Sequence, residues 1–386
     1  MARRAKTKLV ALLIETSRSY GRGLLRGVRR YMNEQGGWSV SMELRALDSK
    51  VPLWLANWRG DGILTRTGSR SMAQAVRKTG VPAIELRSPR LCPDLPWVGV
   101  DNHALGEVIA THLLDRGFRN FAVLETDTEI YFDERRANFI EVLQEAGFSC
   151  HEYKPSGEPE RPAQWEGNQE ALAAWVASLP KPCGVMACTD QLGFFLLDAC
   201  ARAGVSVPEH VAVVGVENDE TLCTMSSPPL SSVRLNAEQI GYQAAELLAE
   251  MMDGRKPPQQ PILVEPLGIE VRASSDVLAI DDRLVAAAMR FVRENAANGI
   301  SVNDILKQVP MSRSSLERRM KAAIGRTPNE EITRVRIEQV KLLLQTTELD
   351  LAAIARRVGY ASPQYLVQIF RQSTGQTPGE YRGEIP

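Results

Sequence analysis

The 386-residue sequence predicts a two-lobed α/β body followed by an all-α region with two helix-turn-helix units. Three observations predict it. From Lys8 to about Val216, short apolar runs alternate with amphipathic helical stretches, the pattern of βαβ units and parallel sheets, and they do so in two successive series. Two series suggest two doubly wound lobes with a ligand cleft between their strand ends. Past Asp282 the strand-like runs stop and only helical periodicity remains. Charge divides at the same place: from Arg283 on there are 16 Lys/Arg against 10 Asp/Glu, and before it 30 against 37, so the net charge of -1 conceals a basic end on an acidic body. A basic end is an electrostatic footprint for nucleic acid.

Taken in order, the first lobe reads KLVALLI, a helix in GLLRGVRRYMNEQ, then WSVSMEL, DGILT, a helix in SMAQAVRKTG and PAIEL. The second series is PWVGV, a helix over 102–116, FAVLE, a helix over 132–145, a strand near Phe148, a helix over 167–179, GVMAC, a helix over 192–203 and VAVVGV. A further helix spans 237–252, and 262–265 and 269–271 read as strands returning to the first lobe. ASSDVLAIDD, 273–282, is the expected linker, with Asp281 or Asp282 capping the next helix, which places the domains at 1–276 and 277–386.

In the basic part, a helix over 282–299 closes on Asn298-Gly299, Ser301 caps the next, and Val302, Ile305, Leu306 and Val309 face inward. Ser312 then starts a reading helix that carries Arg313, Ser314, Ser315, Glu317, Arg318 and Arg319, with Lys321 beyond. Pro328 to Gln345 is one amphipathic helix, some 26 Å long at about 1.5 Å per residue. Nearer the C-terminus Leu351, Ile354, Ala355 and Val358 recur at helical spacing, Gly359 stops that helix, and Ser362 with Pro363 starts another. This second reading helix buries Leu366, Ile369 and Phe370 and presents Gln364, Tyr365, Gln368 and Arg371, side chains long enough for a major groove about 12 Å wide. The two reading helices begin 50 residues apart, at Ser312 and Ser362. A rigid spacer of that length can set them in successive major-groove segments about 34 Å apart. Arg318, one turn past Ser314 and opposite Leu316 and Met320, is expected to meet base edges, whereas Arg313 and Lys321 meet phosphates.

No residue grouping carries catalysis. There is no G-x-S-x-G, no H-E-x-x-H and no P-loop, and His103, His112, His151 and His210 are scattered. The six cysteines, Cys92, Cys150, Cys183, Cys188, Cys200 and Cys223, form no CxxC pair and no zinc-ligand spacing, which fits reduced thiols in a cytosolic protein; no cofactor and no metal are implied. The start, MARRAKTKLVALLIE, imitates a secretory leader, but its apolar run over 9–14 is too short for one or for a membrane span and reads as a first buried strand.

The run IARRVGY-x-S, then Y-x-x-x-x-F-R, then G-x-TP-x-x-YR resembles the second helix-turn-helix of the arabinose-operon activator (AraC) family, and the likeness extends over 284–382. The body resembles the sugar-sensing core of the lactose-repressor family, itself similar to periplasmic sugar-binding proteins. That likeness is carried by VGVDNHALGEVIATHLLDRGFRNFAVL, Arg135 with Phe139 four on, ACTDQLGFFLLDACARAGVSVPEHVAVVGVEND, LSSVRLNAEQIGYQAAELL and VEPLGIEVRASS. In that family the helix-turn-helix precedes the core; here the readers stand at the other end. The fold implied is therefore a two-lobed periplasmic-binding-protein-like α/β core followed by an all-α domain with two helix-turn-helix motifs.

Sugar hydroxyls need paired donors and acceptors, and sugar C–H faces need a flat apolar platform. By resemblance Arg135 matches the arginine that grips sugar hydroxyls, Asp190 and Glu217 with Asn218 beside it take polar contacts, and Trp165 is the stacking aromatic. Tyr20 and Arg22, after the first strand, complete the rim. The first lobe departs from a plain neutral-sugar pocket, because Arg66 and Arg87 occupy strand ends and Glu217 stands where the family usually has aspartate. The two arginines are expected to pair with Glu217 or Asp190; the alternative is a negatively charged ligand.

Together the two resemblances imply a cytoplasmic, sugar-responsive transcription regulator, an activator of pentose use with D-xylose as effector. They further imply a homodimer on direct repeats of double-stranded operator DNA, RNA polymerase as partner, and no membrane. Sugar would close the lobes and change how two protomers present their readers. Alternatives are a regulator of another sugar or sugar acid, a repressor of the same architecture, and a DNA-repair methyl acceptor with AraC-type readers, which would need an activated cysteine that the sequence does not show.

Overall fold

The central apolar runs, GILT, CGVMA and VAVVGV among them, form short strands that are buried on both faces, as parallel sheets covered by helices require. The structure is a computed structural model that describes residues 7–46, 49–88, 91–124, 130–153, 165–277 and 282–383; of 130–132, 165–167 and 283 it describes the backbone alone. The chain opens with β1 (Lys8–Leu13), α1 (Ser19–Gln35), β2 (Trp38–Met42), β3 (Gly62–Thr65), α2 (Arg70–Thr79) and β4 (Ala83–Glu85). These strands form one parallel sheet in the order β2-β1-β3-β4. β5 (Val98–Val100) follows, joined to β4 through the Glu85–Trp97 bridge.

The second series runs α3 (Asn102–Asp115), β6 (Asn120–Leu124), α4 (Ile130–Glu145), β7 (Cys150–Tyr153), α5 (Trp165–Ser178), β8 (Cys183–Ala187), α6 (Asp190–Arg202), β9 (Val211–Val216), α7 (Glu220–Met225) and β10 (Ser231–Val233). Then α8 (Ala237–Met252) packs on α1, β3 and β5 of the first lobe, and β11 (Ile262–Val264) pairs with β5. β12 (Ile269–Glu270) differs from the expectation: it does not return to the first sheet but pairs antiparallel with β10, giving the second sheet the order β12-β10-β9-β8-β6-β7. Alternation identifies a short strand but not which of two open edges it completes.

The chain thus passes between the lobes three times, and the crossing segments bond to one another. Asp101 N–H donates to Val264 O at 3.0 Å, Arg234 N–H to Gly268 O at 2.8 Å, and Leu267 N–H to Arg234 O at 2.8 Å.

The chain divides into two compact units, Met1–Ala110 with Asn120–Asp276, and Thr111–Arg119 with Val277–Pro386. In the second, Asp282 caps α9 (Arg283–Asn295) by accepting from the amides of Leu284 and Val285. α10 (Val302–Leu306) and α11 (Arg313–Ile324) form the first helix-turn-helix, α12 (Pro328–Thr346) the spacer, α13 (Leu351–Arg357) and α14 (Pro363–Thr374) the second, and α15 (Pro378–Gly383) closes it. Thr327 and Glu330 make a capping box ahead of Pro328, and the 19 residues of α12 give it a length of about 28 Å.

A buried ionic cluster adds to this unit. Asp115 is held by Arg326 and by Arg334 (2.7 Å), and fully buried Glu331 pairs with the same two arginines at 3.0 and 2.8 Å. Among the described residues no helix is long and apolar enough to cross a membrane.

Candidate effector site and nucleic-acid interface

At the carboxyl end of β9 the chain adopts a conformation that side chains resist: Glu217 has φ 106° and Asn218 φ 51°, the two non-glycine residues with positive φ among those described. Such strain persists only where surrounding bonds over-determine it. The bonds here are Glu217 N–H to Val233 O (3.0 Å), Asn218 N–H to Ser232 Oγ (3.0 Å), and Asp219 N–H to Asp190 Oδ2 (2.6 Å). Asp190 Oδ1 accepts from Ser232 Oγ, so both its oxygens are occupied within the lobe. It fits there because residue 215 is glycine: a Cβ at Gly215 would stand 2.4 Å from Asp190 Oδ1. Burial pushes the Asp190 carboxyl up to about 8, against the bonds from Ser232 and Asp219 that pull it down. Asp190 is therefore a brace under the Glu217–Asn218 turn rather than an open polar group.

Arg135, almost fully buried on α4, donates from Nη1 to Cys188 O at 2.7 Å and approaches Glu217 at 3.9 Å. Beside it, Asn102 Nδ2 donates to Glu134 at 3.0 Å, and burial raises the Glu134 carboxyl. Asn102 Oδ1 and Asn218 Oδ1 are buried acceptors with no hydrogen-bond partner among the described residues. Arg135, Glu217 and Asn218 thus come together at the strand ends of the second sheet. Trp165 opens α5, and its side chain lies outside the described residues.

In the first lobe Arg66 pairs with Glu15, a fully buried carboxylate just past β1 that the sequence reading overlooked. This corrects the expected pairing with Glu217 or Asp190: burial of a charge at the end of β3 demands a neutralising group within reach, and β1, the neighbouring strand, supplies one. The Arg66 guanidinium lies 4.8 Å from the Tyr20 ring centroid. Glu15 in turn needs Gly21, where a Cβ would meet Glu15 O at 2.2 Å. Arg87 donates to Thr67 O at 3.1 Å, while Glu85, also overlooked and fully buried, accepts from the amides of Thr67 and Arg87. Burial raises Glu85. Arg22 donates to the carbonyls of Thr16 and Ser17 at 2.9 Å each and fastens the loop after β1. The signal for both glutamates was legible: a carboxylate closing an apolar run, in LLIE and PAIEL, at the carboxyl end of a strand, where open α/β folds take ligands.

In the second unit, Ser362 caps α14 by accepting from Tyr365 N–H; Leu366 and Phe370 are fully buried, and Gln364, Tyr365, Gln368 and Arg371 are exposed on the opposite stripe. On α11, Ser312 accepts from Ser315 N–H, Leu316 and Met320 are buried, and Arg313, Ser314, Arg318 and Lys321 are exposed. Arg313 pairs with Glu317 at 3.0 Å and Lys321 approaches Glu330 at 3.9 Å, whereas Arg318 makes no ion pair among the described residues. Arg319 is placed apart from this stripe, because its guanidinium pairs with Asp282, the cap of α9.

A buried polar site on a two-lobed α/β core, joined to a pair of capped reading helices with exposed polar stripes, defines an effector-responsive transcription regulator. Residues 110–275 match the family model of the periplasmic binding protein-like domain, and 305–384 that of a helix-turn-helix domain. The chain is 32% identical to the xylose operon regulatory protein of Escherichia coli (strain K12) over 98% of this chain and 97% of that protein. It is 31% identical to the one of Haemophilus influenzae over 97% of each. A solved structure, that of the xylose-binding transcription activator xylR, matches with a TM-score of 0.63 and 31% identity over 97% of this chain and 98% of that one. The chain belongs to the xylose operon regulatory protein family: it is a sugar-responsive DNA-binding regulator and not an enzyme.

Proposed function

We propose that this regulator binds D-xylose between its lobes and acts from the cytoplasm as a homodimer, reading direct repeats with α11 and α14 and activating transcription through RNA polymerase. The observation that carries the effector site is the strained Glu217–Asn218 turn, braced from beneath by Asp190 and flanked by buried Arg135. Arg135, Glu217 and Asn218 supply donors and acceptors to sugar hydroxyls from the second lobe; Tyr20, Arg66 and Arg87 border the site from the first, with Trp165 as the stacking platform. Arg66 is paired with Glu15 and Arg135 approaches Glu217, so two of the cations bordering the site already face carboxylates, which favours a neutral sugar over a uronate. The likeness to xylose operon regulators supports D-xylose.

Calorimetric titration of the full-length chain with D-xylose, L-arabinose, D-ribose, D-glucose and D-glucuronate tests the reading. D-xylose should bind best, and Arg135→Ala should weaken it by about 5- to 150-fold, the equivalent of one buried polar contact. Tighter binding of glucuronate than of every neutral sugar would overturn the neutral-effector reading.

A further inference from the structure

Two separate apolar clusters fill the second unit, and one helix serves both. Ile332 of α12 packs with Val285, Met289, Ile305, Leu316 and Met320 around the first helix-turn-helix. Ile337, Val340 and Leu344 of the same helix pack with Ile354, Leu366 and Phe370 around the second. Joined by a helix alone, two such bodies could still twist and flex against each other, since helices bend at modest cost.

A second connection closes the gap at the point where one cluster gives way to the other. Arg336 donates from Nε to Ala296 O at 2.8 Å and from Nη2 to Ile300 O at 2.9 Å, so its planar fork spans the turn that ends α9. Its guanidinium carbon lies 5.5 Å from the ring centroid of Tyr360, in the turn of the second helix-turn-helix, and Tyr360 meets Tyr365 of α14 edge-on at 5.9 Å. Beside this fork the two turns touch backbone to backbone. Gly299 (φ 75°) and Gly359 (φ 74°) are both left-handed, and a Cβ at Gly359 would stand 2.4 Å from Gly299 N and 2.8 Å from Ala297 O. Contact therefore runs without a break from the turn behind the first reader, through Arg336, to a side chain on the second reading helix.

We propose that this fastening, centred on Arg336, fixes the separation and twist between α11 and α14, so that Arg336 is a positioning residue through which the protein reads two DNA segments at one spacing. Two charged donors held in a rigid fork form stronger and more directional bonds than neutral groups, and lysine offers no such fork. The inference rests on the DNA-reading assignment above and adds to it a reason for operator spacing.

The test uses the full-length chain, Arg336→Ala and Arg336→Lys on a duplex selected from a random pool by the wild type, and on derivatives with one, two or three base pairs inserted between the two segments protected by one protomer. Each inserted pair moves the second segment by about 3.4 Å and turns it by about 35°. The wild type should lose on the order of 10- to 100-fold in affinity on two-pair insertion, as the second reader loses its base contacts. Arg336→Ala should bind the parent duplex several-fold more weakly yet change by less than about threefold on insertion, and Arg336→Lys should follow it. Thermal melting followed by circular dichroism selects variants folded at the assay temperature; should the alanine variant melt below it, the lysine variant, which keeps the stem and the charge, carries the comparison. Folded variants that retain the wild-type dependence on spacing overturn this inference alone. A wild type that protects a single segment or none overturns the two-reader assignment and this inference with it.

Discussion

Removal of the Asp190 carboxylate separates a brace from a ligand contact. In Asp190→Ala the Asp219 N–H and the buried Ser232 hydroxyl each lose an acceptor, at about 1 to 3 kcal/mol apiece, and the hydroxyl can recover part of that by rotating. A net loss of about 3 kcal/mol corresponds to a fall of roughly 6–12 °C in the melting temperature of a unit this size. The same change frees Glu217 and Asn218 to leave their left-handed conformations, so sugar affinity should drop at least about tenfold although both Asp190 oxygens are taken up by bonds within the lobe. Asp190→Asn is the informative partner, because its amide can donate to Ser232 while its carbonyl accepts from Asp219; it should stay within about 1 kcal/mol of wild type. Its pH response should differ. The wild-type carboxyl titrates near 8 when folded and near 4 when unfolded, so between those values the folded chain holds a proton that the unfolded chain has released. Stability from this group is present at low pH and is lost as pH rises through that window. Melting curves at pH 5.5, 7 and 8.5 should show wild type losing ground to Asp190→Asn as pH rises. Parallel curves for the two, or an Asp190→Ala variant with unchanged melting and sugar affinity, would refute the reasoning.

Two further outcomes follow from the second unit. Arg318→Ala should cost about 1 to 3 kcal/mol on the true operator and much less on a site already altered at the contacted base, whereas Arg313→Ala should weaken all sequences alike and lower the salt slope by about one; equal weakening on both sites by Arg318→Ala refutes base reading. Glu331→Ala leaves Arg326 and Arg334 with Asp115 as the one carboxylate in ion-pair range among the described residues, and should destabilise by about 3–5 kcal/mol, read as an early thermal transition.

The fold was legible wherever local pattern decides structure. Strand runs such as VAVVGV and caps such as Asp282, Ser312 and Ser362 are governed by period and side-chain chemistry within a few residues, and each appears where the pattern put it. β12 was misplaced because the choice between two sheet edges depends on tertiary neighbours. The candidate site was legible only in part, for the same reason. Arg135, Asp190 and Glu217 stand out as charged residues beside apolar strands, but that Asp190 turns inward to Ser232 depends on a residue 42 positions away. Glu15 was hidden by reading an arginine at a strand end as a search for a distant carboxylate, when the nearest one ended the adjacent strand.

Charge arithmetic likewise overstated the nucleic-acid footprint. Of the 16 Lys/Arg from Arg283 on, Arg319 is held by Asp282, Arg326 and Arg334 by Asp115 and Glu331, Arg336 bonds the carbonyls of Ala296 and Ile300, and Arg382 bonds Leu349 O at 2.7 Å. Those five cations hold the unit together. Lys307 and Lys341 pair with acids one turn away on their own helices. The reading helices themselves contribute Arg313, Arg318, Lys321 and Arg371, all exposed, and the pairs made by Arg313 and Lys321 are surface pairs of small worth that a phosphate can displace. If Arg313, Lys321 and Arg371 carry the backbone contacts while Arg318 reads a base, the logarithm of the DNA affinity should fall against the logarithm of salt concentration with a slope of about -3 per protomer, not the value of about -14 that all 16 cations would give. Binding titrations between 50 and 300 mM salt decide it: a slope near -14 would mean that the internal pairs open on DNA and that the second unit rearranges when it binds.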